Sequence, residues 1–468
     1  MYKKIFLVTS MLATIIPLIA NSQNILHDST IKALRMGLEG FKDRFHSPSI
    51  VISIVHDKQI IFSEALGYTD VDNKVAATID SKYPVLSVTK VFTATMLMQL
   101  KQRNILILED DVKKFVPEFT GSSSLSSKSG TTLLQLATHT SGLPRNSQAD
   151  IHFTKQVDKW LLAGENYTTI ESAKKETFLT SLKFIKKEYP DYQLLSYGDR
   201  HYSNLGYSLL GIALERAAKK DFALYVLNNI CKPLKMDNTG FDSEKLDDNI
   251  LAKGYYYDDS TKNLIKTPVY KSNSALYAGG MYSTARDLSK FISFQFDNKS
   301  AETYKILSPE NKAMMQSLRI AWKPSFPFVF HEGAMLGYRS LIAFNPELKI
   351  GWVILTNATD FEFSRINEYL SKLLTPLFNK KPETDLNKFT GLYVLADSSD
   401  RINIYLKNGK LHSTYLHDIL PELPLTPTGF NKFKGQGRGN YAIGYDFISN
   451  EDAEVKYLNL GQLMWIKE

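Results

Sequence analysis

Two residue types three positions apart open the chemistry of this chain: Ser87 and Lys90, in Leu86-Ser87-Val88-Thr89-Lys90. In a helix, positions i and i+3 lie one above the other on a single face, so this spacing sets an amine beside a hydroxyl. The start of a helix also favours negative charge on a group placed there. A serine hydroxyl is a weak nucleophile that needs a base, and a lysine whose ammonium is disfavoured by burial serves as one. The pair reads as a nucleophile, Ser87, with Lys90 helping to remove its proton. Spacing alone does not select it. A second copy, Ser172-Ala173-Lys174-Lys175, lies in a Glu- and Lys-rich stretch that reads as a solvated helix surface.

The elements around Ser87 make the difference. Residues 49–55, rich in Ile and Val, read as a strand; a turn follows at His56-Asp57-Lys58-Gln59, and residues 60–66 return as a second strand ending at Gly67. From 91 to 100 the apolar residues Phe92, Ala94, Met96, Leu97, Met98 and Leu100 point to nearly all sides, the pattern of a helix buried inside a domain. Packing fixes such a helix, which makes it a good mount for a catalytic pair. Residues 133–144 begin with helical spacing and end at Gly142 and Pro144, and His139 and Ser141 there read as capping or turn-stabilising. Residues 145–199 read as charged and loop-like, with an amphipathic helix candidate over 171–187.

His201-Tyr202-Ser203-Asn204 then precedes an apolar helix over 208–217, and a short loop there can turn polar side chains into a cleft. A second Tyr-x-Asn, Tyr457-Leu458-Asn459, falls in a strand-like tail without that context. Ala278-Gly279-Gly280-Met281 reads as a structural turn entering a helix capped by Ser283 or Thr284. Residues 328–334 are strand-like up to Gly333, where a glycine marks close approach of a ligand or another backbone. Another strand covers 348–357. Lys128-Ser129-Gly130 and Lys407-Asn408-Gly409 read as a Ser-rich loop and an Asn-Gly hairpin turn. Beyond a linker at 377–385, short alternating runs describe a small antiparallel β domain.

Composition narrows the function classes. With 43% hydrophobic and 22% charged residues, the 468-residue chain reads as globular, long enough for two or three domains. Its formal charge of +7 includes Lys3 and Lys4 and shows no basic cluster, so nucleic acid is not an expected partner. The one cysteine, Cys231, excludes an internal disulfide and a cysteine-built metal site, and the nine histidines show no His-x-x-x-His spacing. No metal or cofactor is expected. Residues 1–22 have a charged start, an apolar run and small residues at Ala20 and Ser22, the pattern of a secretory signal, which places the mature protein in the periplasm or outside the cell. An uncleaved anchor is the alternative, against which stand the short run and its interruption by Thr9, Ser10, Thr14 and Pro17. No later stretch reaches membrane-spanning length.

Together the pieces resemble the serine β-lactamase and penicillin-binding protein superfamily, on the class C β-lactamase-related side. Ser87-Val88-Thr89-Lys90 matches its Ser-x-x-Lys motif, Tyr202-Ser203-Asn204 its Tyr-x-Asn, and His331-Glu332-Gly333 its third motif, as His-x-Gly in place of Lys-Thr-Gly. The resemblance runs over about 49–357, with Leu136-Ala137-Thr138-His139-Thr140-Ser141-Gly142-Leu143 and Gly279-Gly280 as further landmarks. It implies an α+β, β-lactamase/transpeptidase-like fold, an antiparallel sheet flanked by helices plus an all-helical region. The domains would be a signal over 1–22, a hydrolase domain over 23–378 and the small β domain over 385–468.

The resemblance also implies roles. Ser87 would be acylated and then released by water, Tyr202 would share proton transfer, and Asn204 would hold Lys90 and the substrate amide. His331 would hydrogen-bond Tyr202, and the backbone N–H groups of Ser87 and Ala334, beside Gly333, would bind the oxyanion. Glu332 stands where Lys-Thr-Gly relatives help to bind a substrate carboxylate. Facing the cleft, it would repel anions and favour esters, amides or D-amino-acid peptides; pointing away, it would do neither. The expected partner is a small-molecule or peptide substrate, cell-wall peptides being one source. A β-lactamase or D-Ala-D-Ala carboxypeptidase remains an alternative, as does a non-catalytic envelope binding protein. Oligomeric state is not legible.

Overall fold

Alternation along the strands decides how the layers stack. In β1 (Ser49–His56), Ile50, Ile52 and Ile54 pack into one core cluster while Val51 and Val55 pack into another on the opposite face. A strand buried on both faces lies inside a three-layer arrangement, which is why its sequence is a nearly unbroken apolar run. The structure, a computed structural model, describes residues 25–120, 130–185, 201–246, 250–297, 300–325, 328–378, 385–395, 399–415, 422–429, 431–436, 442–449, 454–460 and 463–468. The expected signal over 1–22, Lys128 and Ser129 of the Ser-rich loop, the last two residues of the 171–187 helix candidate and most of the linker lie outside the described residues.

The central sheet is antiparallel, in the order β4-β5-β6-β7-β1-β2-β3. Its other members are β2 (Gln59–Asp70), β3 (Val75–Ala76), β4 (Lys323–Ser325), β5 (Phe328–Met335), β6 (Tyr338–Asn345) and β7 (Ile350–Thr356). Helices α1 (Asp28–Arg44) and α9 (Phe363–Phe378) cover the face of Ile50, Ile52, Trp352 and Ile354. The other face carries α2 (Thr89–Gln102), α6 (Asn204–Ala218) and α7 (Ala285–Phe296), with smaller helical pieces that include α3 (Leu133–Ala137), α5 (Lys175–Ser181) and α8 (Pro309–Ser317), while α4 (Ile151–Ala163) contributes no side chain to this cluster. Every residue of α2 from 89 to 100 is buried, so the all-round apolar pattern meets a buried helix. Among the described residues, no helix is long and apolar enough to cross a membrane.

Eight strands from β8 (Gly391–Leu395) to β15 (Leu463–Lys467) close into a barrel, the first pairing with the last through Tyr393 and Lys467. Closure removes the edge strands that an open sheet of this size would expose. Phe389, Tyr393, Phe433, Phe447 and Trp465 are among the side chains that fill its core. The barrel docks on the hydrolase-like domain through Asn459, whose Nδ2 donates to the Ser317 carbonyl at 2.6 Å and to Ser317 Oγ at 2.7 Å. The Tyr-x-Asn copy in the tail is thus a domain contact.

Two local expectations need correction. The stretch after Arg145 is not simply loop, since α4 occupies residues 151–163; Phe153, Val157 and Trp160 lie half-buried on one face at helical spacing, a stripe that the charged residues between them obscured. Ser172 does not lie on a solvated helix surface. It is buried ahead of α5 and donates to the Ser272 carbonyl, while Lys175 turns outward to pair with Glu215.

Candidate active site

Ser87 sits in a single 3₁₀ turn, Leu86–Val88, that leads directly into α2. The turn is held from two sides: Val85 N–H donates to the Met281 carbonyl at 2.9 Å, and Ser340 Oγ donates to the Val85 carbonyl at 2.6 Å. Leu86 adopts φ 52°, a left-handed conformation costing a branched residue about 1–2 kcal/mol, sustained because its side chain is buried. Strain of this kind re-aims the chain sharply, and Ser87 emerges partly exposed between buried Leu86 and Val88.

Lys90, one turn on, is fully buried, and three oxygens surround its Nζ: Ser87 Oγ at 3.0 Å, Asn204 Oδ1 at 2.9 Å and the Ala278 carbonyl at 2.8 Å. Two of these can only accept. In its neutral form, which burial favours, the amine has two N–H bonds for Asn204 and Ala278 and one lone pair to turn on the Ser87 hydroxyl. Burial pulls Lys90 well below the ordinary lysine range, and the nearby charges of Arg145 and Lys323 pull it further. Tyr202 O–H donates to Ser87 Oγ at 2.8 Å, and burial raises this phenol above its ordinary range. Ser87 Oγ therefore touches an amine base and a phenol donor together.

The Tyr202 loop is positioned by the landmark before it. Ser203 N–H donates to His139 Nδ1 at 3.1 Å, the rings of His139 and Tyr202 lie 4.4 Å apart, and the Arg145 carbonyl accepts from Asn204 N–H at 2.7 Å. Ser203 caps α6 by accepting from Gly206 N–H. His139 is thus the turn-stabilising residue that its position suggested, but the turn it braces is the site loop. The segment read as structural at Gly279 also reaches the site, through the Ala278 carbonyl on Lys90.

The third motif differs from its expected behaviour. His331 is fully buried, but its Nδ1 pairs with the Glu332 carbonyl at 3.0 Å, and among the described residues Nε2 has no hydrogen-bond partner. The expected His331–Tyr202 hydrogen bond is therefore absent from this geometry. Burial, with the nearby charge of Lys323 adding to it, pushes the imidazole well below the usual histidine range, so it is neutral. The Glu332 carboxylate reaches towards the site, since the ammonium it pairs with lies 5.5 Å from the Tyr202 ring centroid, but it is not a lone carboxylate. Lys323 on β4 reaches it at 2.9 Å. The expected repulsion of anions by Glu332 is corrected accordingly, because an anion entering the site meets its carboxylate together with the Lys323 ammonium.

Gly333 makes the close approach expected of it. A Cβ there would lie 2.3 Å from Ser340 Oγ, 2.4 Å from the Val85 carbonyl oxygen and 2.9 Å from Leu86 Cβ. Ser87 and Ala334, the two expected oxyanion donors, each stand one residue beyond this contact. Arg145 and Lys323 are site residues that no motif identified. Arg145 follows a recognisable Gly-x-Pro turn, but Lys323 owes its place to a strand pairing, Lys323 with Phe330, that carries no local signal.

Comparison with known proteins bears on this geometry. The beta-lactamase family profile matches residues 38–375. Beta-lactamase-like protein 2 of Dictyostelium discoideum is 28% identical over 361 residues, covering 73% of this chain and 62% of that relative, so the chain spans less than two thirds of its length. The octameric penicillin-binding protein homologue from Pyrococcus abyssi superposes with a TM-score of 0.60 at 22% identity, over 93% of this chain and all of that one. A class C beta lactamase from Rhodobacter sphaeroides gives 0.56 at 18% identity, over 74% of this chain and all of that one.

Proposed function

The chain belongs to the beta-lactamase family, and from that premise we propose that it is a serine hydrolase that cleaves an ester or amide through an acyl-enzyme on Ser87. The observation that carries this reading is the setting of Ser87 Oγ, 3.0 Å from the Nζ of a fully buried Lys90 that Asn204 and the Ala278 carbonyl also hold, and 2.8 Å from the Tyr202 hydroxyl. Ser87 Oγ adds to the substrate carbonyl carbon as its proton passes to Lys90 Nζ. The C–O or C–N bond then breaks, and the departing group takes a proton from the network formed by Tyr202 and Lys90. Water attacks the acyl carbon, gives one proton to that network, and Ser87 leaves with its hydrogen restored. The backbone N–H groups of Ser87 and Ala334 would hold the oxyanion, a donor being worth about 3 kcal/mol of barrier.

Substrate charge is not dictated by Glu332, since Lys323 balances it and exposed Arg145 leaves the cleft positive. Neutral esters, D-aminoacyl anilides and a chromogenic cephalosporin therefore belong in one panel, on wild type and Ser87→Ala, beside a serine-directed activity probe. Turnover of at least one ester is expected, falling by about 10³-fold or more in Ser87→Ala. Probe labelling that survives Ser87→Ala would refute the nucleophile. We propose an extracytoplasmic site of action, on the strength of residues 1–22 alone; processing of that segment in an expressing cell is the measurement that checks it.

A further inference from the structure

Three cationic heads gather around one ring. Lys90 Nζ lies 4.9 Å from the centroid of Tyr202, Arg145 Cζ 5.1 Å and Lys323 Nζ 5.5 Å. Their surroundings differ. The Arg145 side chain is on the exposed loop and the Lys323 side chain is about a third exposed, at 35%, whereas Lys90 is sealed from water. Arg145 does not give up its proton, and Lys323 is held by a carboxylate at 2.9 Å. Crowding of like charge is therefore relieved at the one head that is also desolvated.

Among the described residues, the remaining groups facing Lys90 do not offset this. Tyr202 and the Tyr207 ring, 5.6 Å away, are neutral phenols; His331 is neutral; and the His139 ring lies behind both tyrosines, its Nδ1 accepting from the Ser203 backbone. Ser87, Asn204 and the Ala278 carbonyl contribute dipoles only. Among the described residues, Glu332 is the acid whose charge reaches the ring, and its ion pair is with Lys323. The balance between Glu332 and Lys323 is thus the adjustable charge beside the Ser87–Lys90 pair.

Delivery of Lys323 is built into the fold. The segment 318–322 leading to it carries two non-glycine residues in the left-handed region, Arg319 at φ 58° and Ala321 at φ 64°. Ala321 N–H donates to the Ala137 carbonyl, at the start of the His139 landmark, and Trp322 is buried. A connection held in strained backbone by packing fixes where the next side chain starts.

We propose that Lys323 is a positioning residue for the proton transfer: aimed over Tyr202 by Glu332, it supplies from a neighbouring strand the charge that keeps Lys90 a free amine. The proposal rests on the serine-hydrolase reading above. It makes the two partners of one ion pair act in opposite directions, which breakage of a structural salt bridge does not.

The test is the pH dependence of kcat/KM for neutral p-nitrophenyl acetate in wild type, Lys323→Met, Lys323→Arg, Glu332→Gln and Ser87→Ala. The acid limb reports the base in the free enzyme. In Lys323→Met it moves to higher pH by about half a unit, and in Glu332→Gln, where Lys323 is unopposed, it moves to lower pH by a similar amount. Lys323→Arg keeps the wild-type limb. Limbs that stay put, or that move the same way in both variants, overturn the proposal. Should thermal melts show Lys323→Met unfolded, the Glu332→Gln limb decides alone. Hydrolysis undiminished in Ser87→Ala defeats the enzymatic reading itself; loss of hydrolysis there with unsplit limbs defeats only the role of Lys323.

Discussion

Gly333→Ala attacks the site without touching any group that moves a proton. The new methyl would stand 2.4 Å from the Val85 carbonyl oxygen, where ordinary contact begins near 3.4 Å, so strand and turn have to part by about 1 Å. Neither side gives way easily. Val85 is tied to Met281 and to Ser340, and Ser340 Oγ is itself 2.3 Å from the added carbon. The displacement falls between the two expected oxyanion donors, Ser87 and Ala334. Misplacement by about 1 Å costs roughly 10²-fold in rate, and loss of one oxyanion donor about 10²–10³-fold. The fall in kcat on the best ester of the panel is expected in that range, with a stability loss of about 1–3 kcal/mol from overpacking. Gly279→Ala is the control, because its methyl would meet nothing nearer than 3.7 Å, the Leu86 carbonyl carbon. A folded Gly333→Ala protein with kcat within about threefold of wild type refutes the claim that this contact sets the oxyanion geometry.

Two further outcomes test the frame that carries the site. Lys312, buried and donating to the Phe294 carbonyl at 2.9 Å, is pulled down to about 7 by burial. Between that value and the ordinary 10.5 the unfolded chain holds its proton and the folded one does not, so stability rises with pH across this window. The wild type should gain on Lys312→Met by up to about 1.4 kcal/mol per pH unit from pH 7 towards 10, read by denaturant unfolding at several pH values; a pH-independent difference contradicts it. Asn459→Ala removes both hydrogen bonds to Ser317, worth about 1 kcal/mol each. It should lower the melting temperature by a few degrees and speed proteolytic release of the barrel, and an unchanged cleavage pattern would show that the barrel docks by other contacts.

What the sequence made legible follows from what is local. Ile50 to Val55 declared a buried strand because both faces carry apolar side chains, and α2 declared a buried helix for the same reason. Ser87, Lys90, Tyr202 and Asn204 were legible as motifs, and the structure brings their polar atoms within hydrogen-bond reach of one another. Composition misled where a stretch is charged but a single side chain turns inward. Ser172 is buried although two lysines follow it in the chain, and the stripe of Phe153, Val157 and Trp160 on α4 is interleaved with charged residues. Tyr457-Leu458-Asn459 looked like an idle copy of a motif, since nothing in a strand announces that its asparagine reaches another domain.

The third motif shows why charge is the hardest property to read along a chain. Glu332 taken alone predicts a cleft that repels anions, because two like charges a few ångströms apart in a partly dry site are costly. Its effect is set instead by Lys323, nine residues earlier but across a strand pair, at 2.9 Å. Among the described residues, once Glu332 is taken with Lys323, His331 as uncharged and Lys90 as an amine, the charge left unbalanced beside Tyr202 is the guanidinium of Arg145. The sign of the cleft is then reversed from the expectation drawn from Glu332. A neutral ester reports the proton machinery with this charge unused, whereas an anionic acyl substrate engages it. Arg145→Met should therefore raise KM for an anionic ester about tenfold and leave KM for its neutral counterpart nearly unchanged, as loss of one charge-assisted hydrogen bond implies. Equal changes for both esters would show that Arg145 acts only through its backbone hold on the Tyr202 loop.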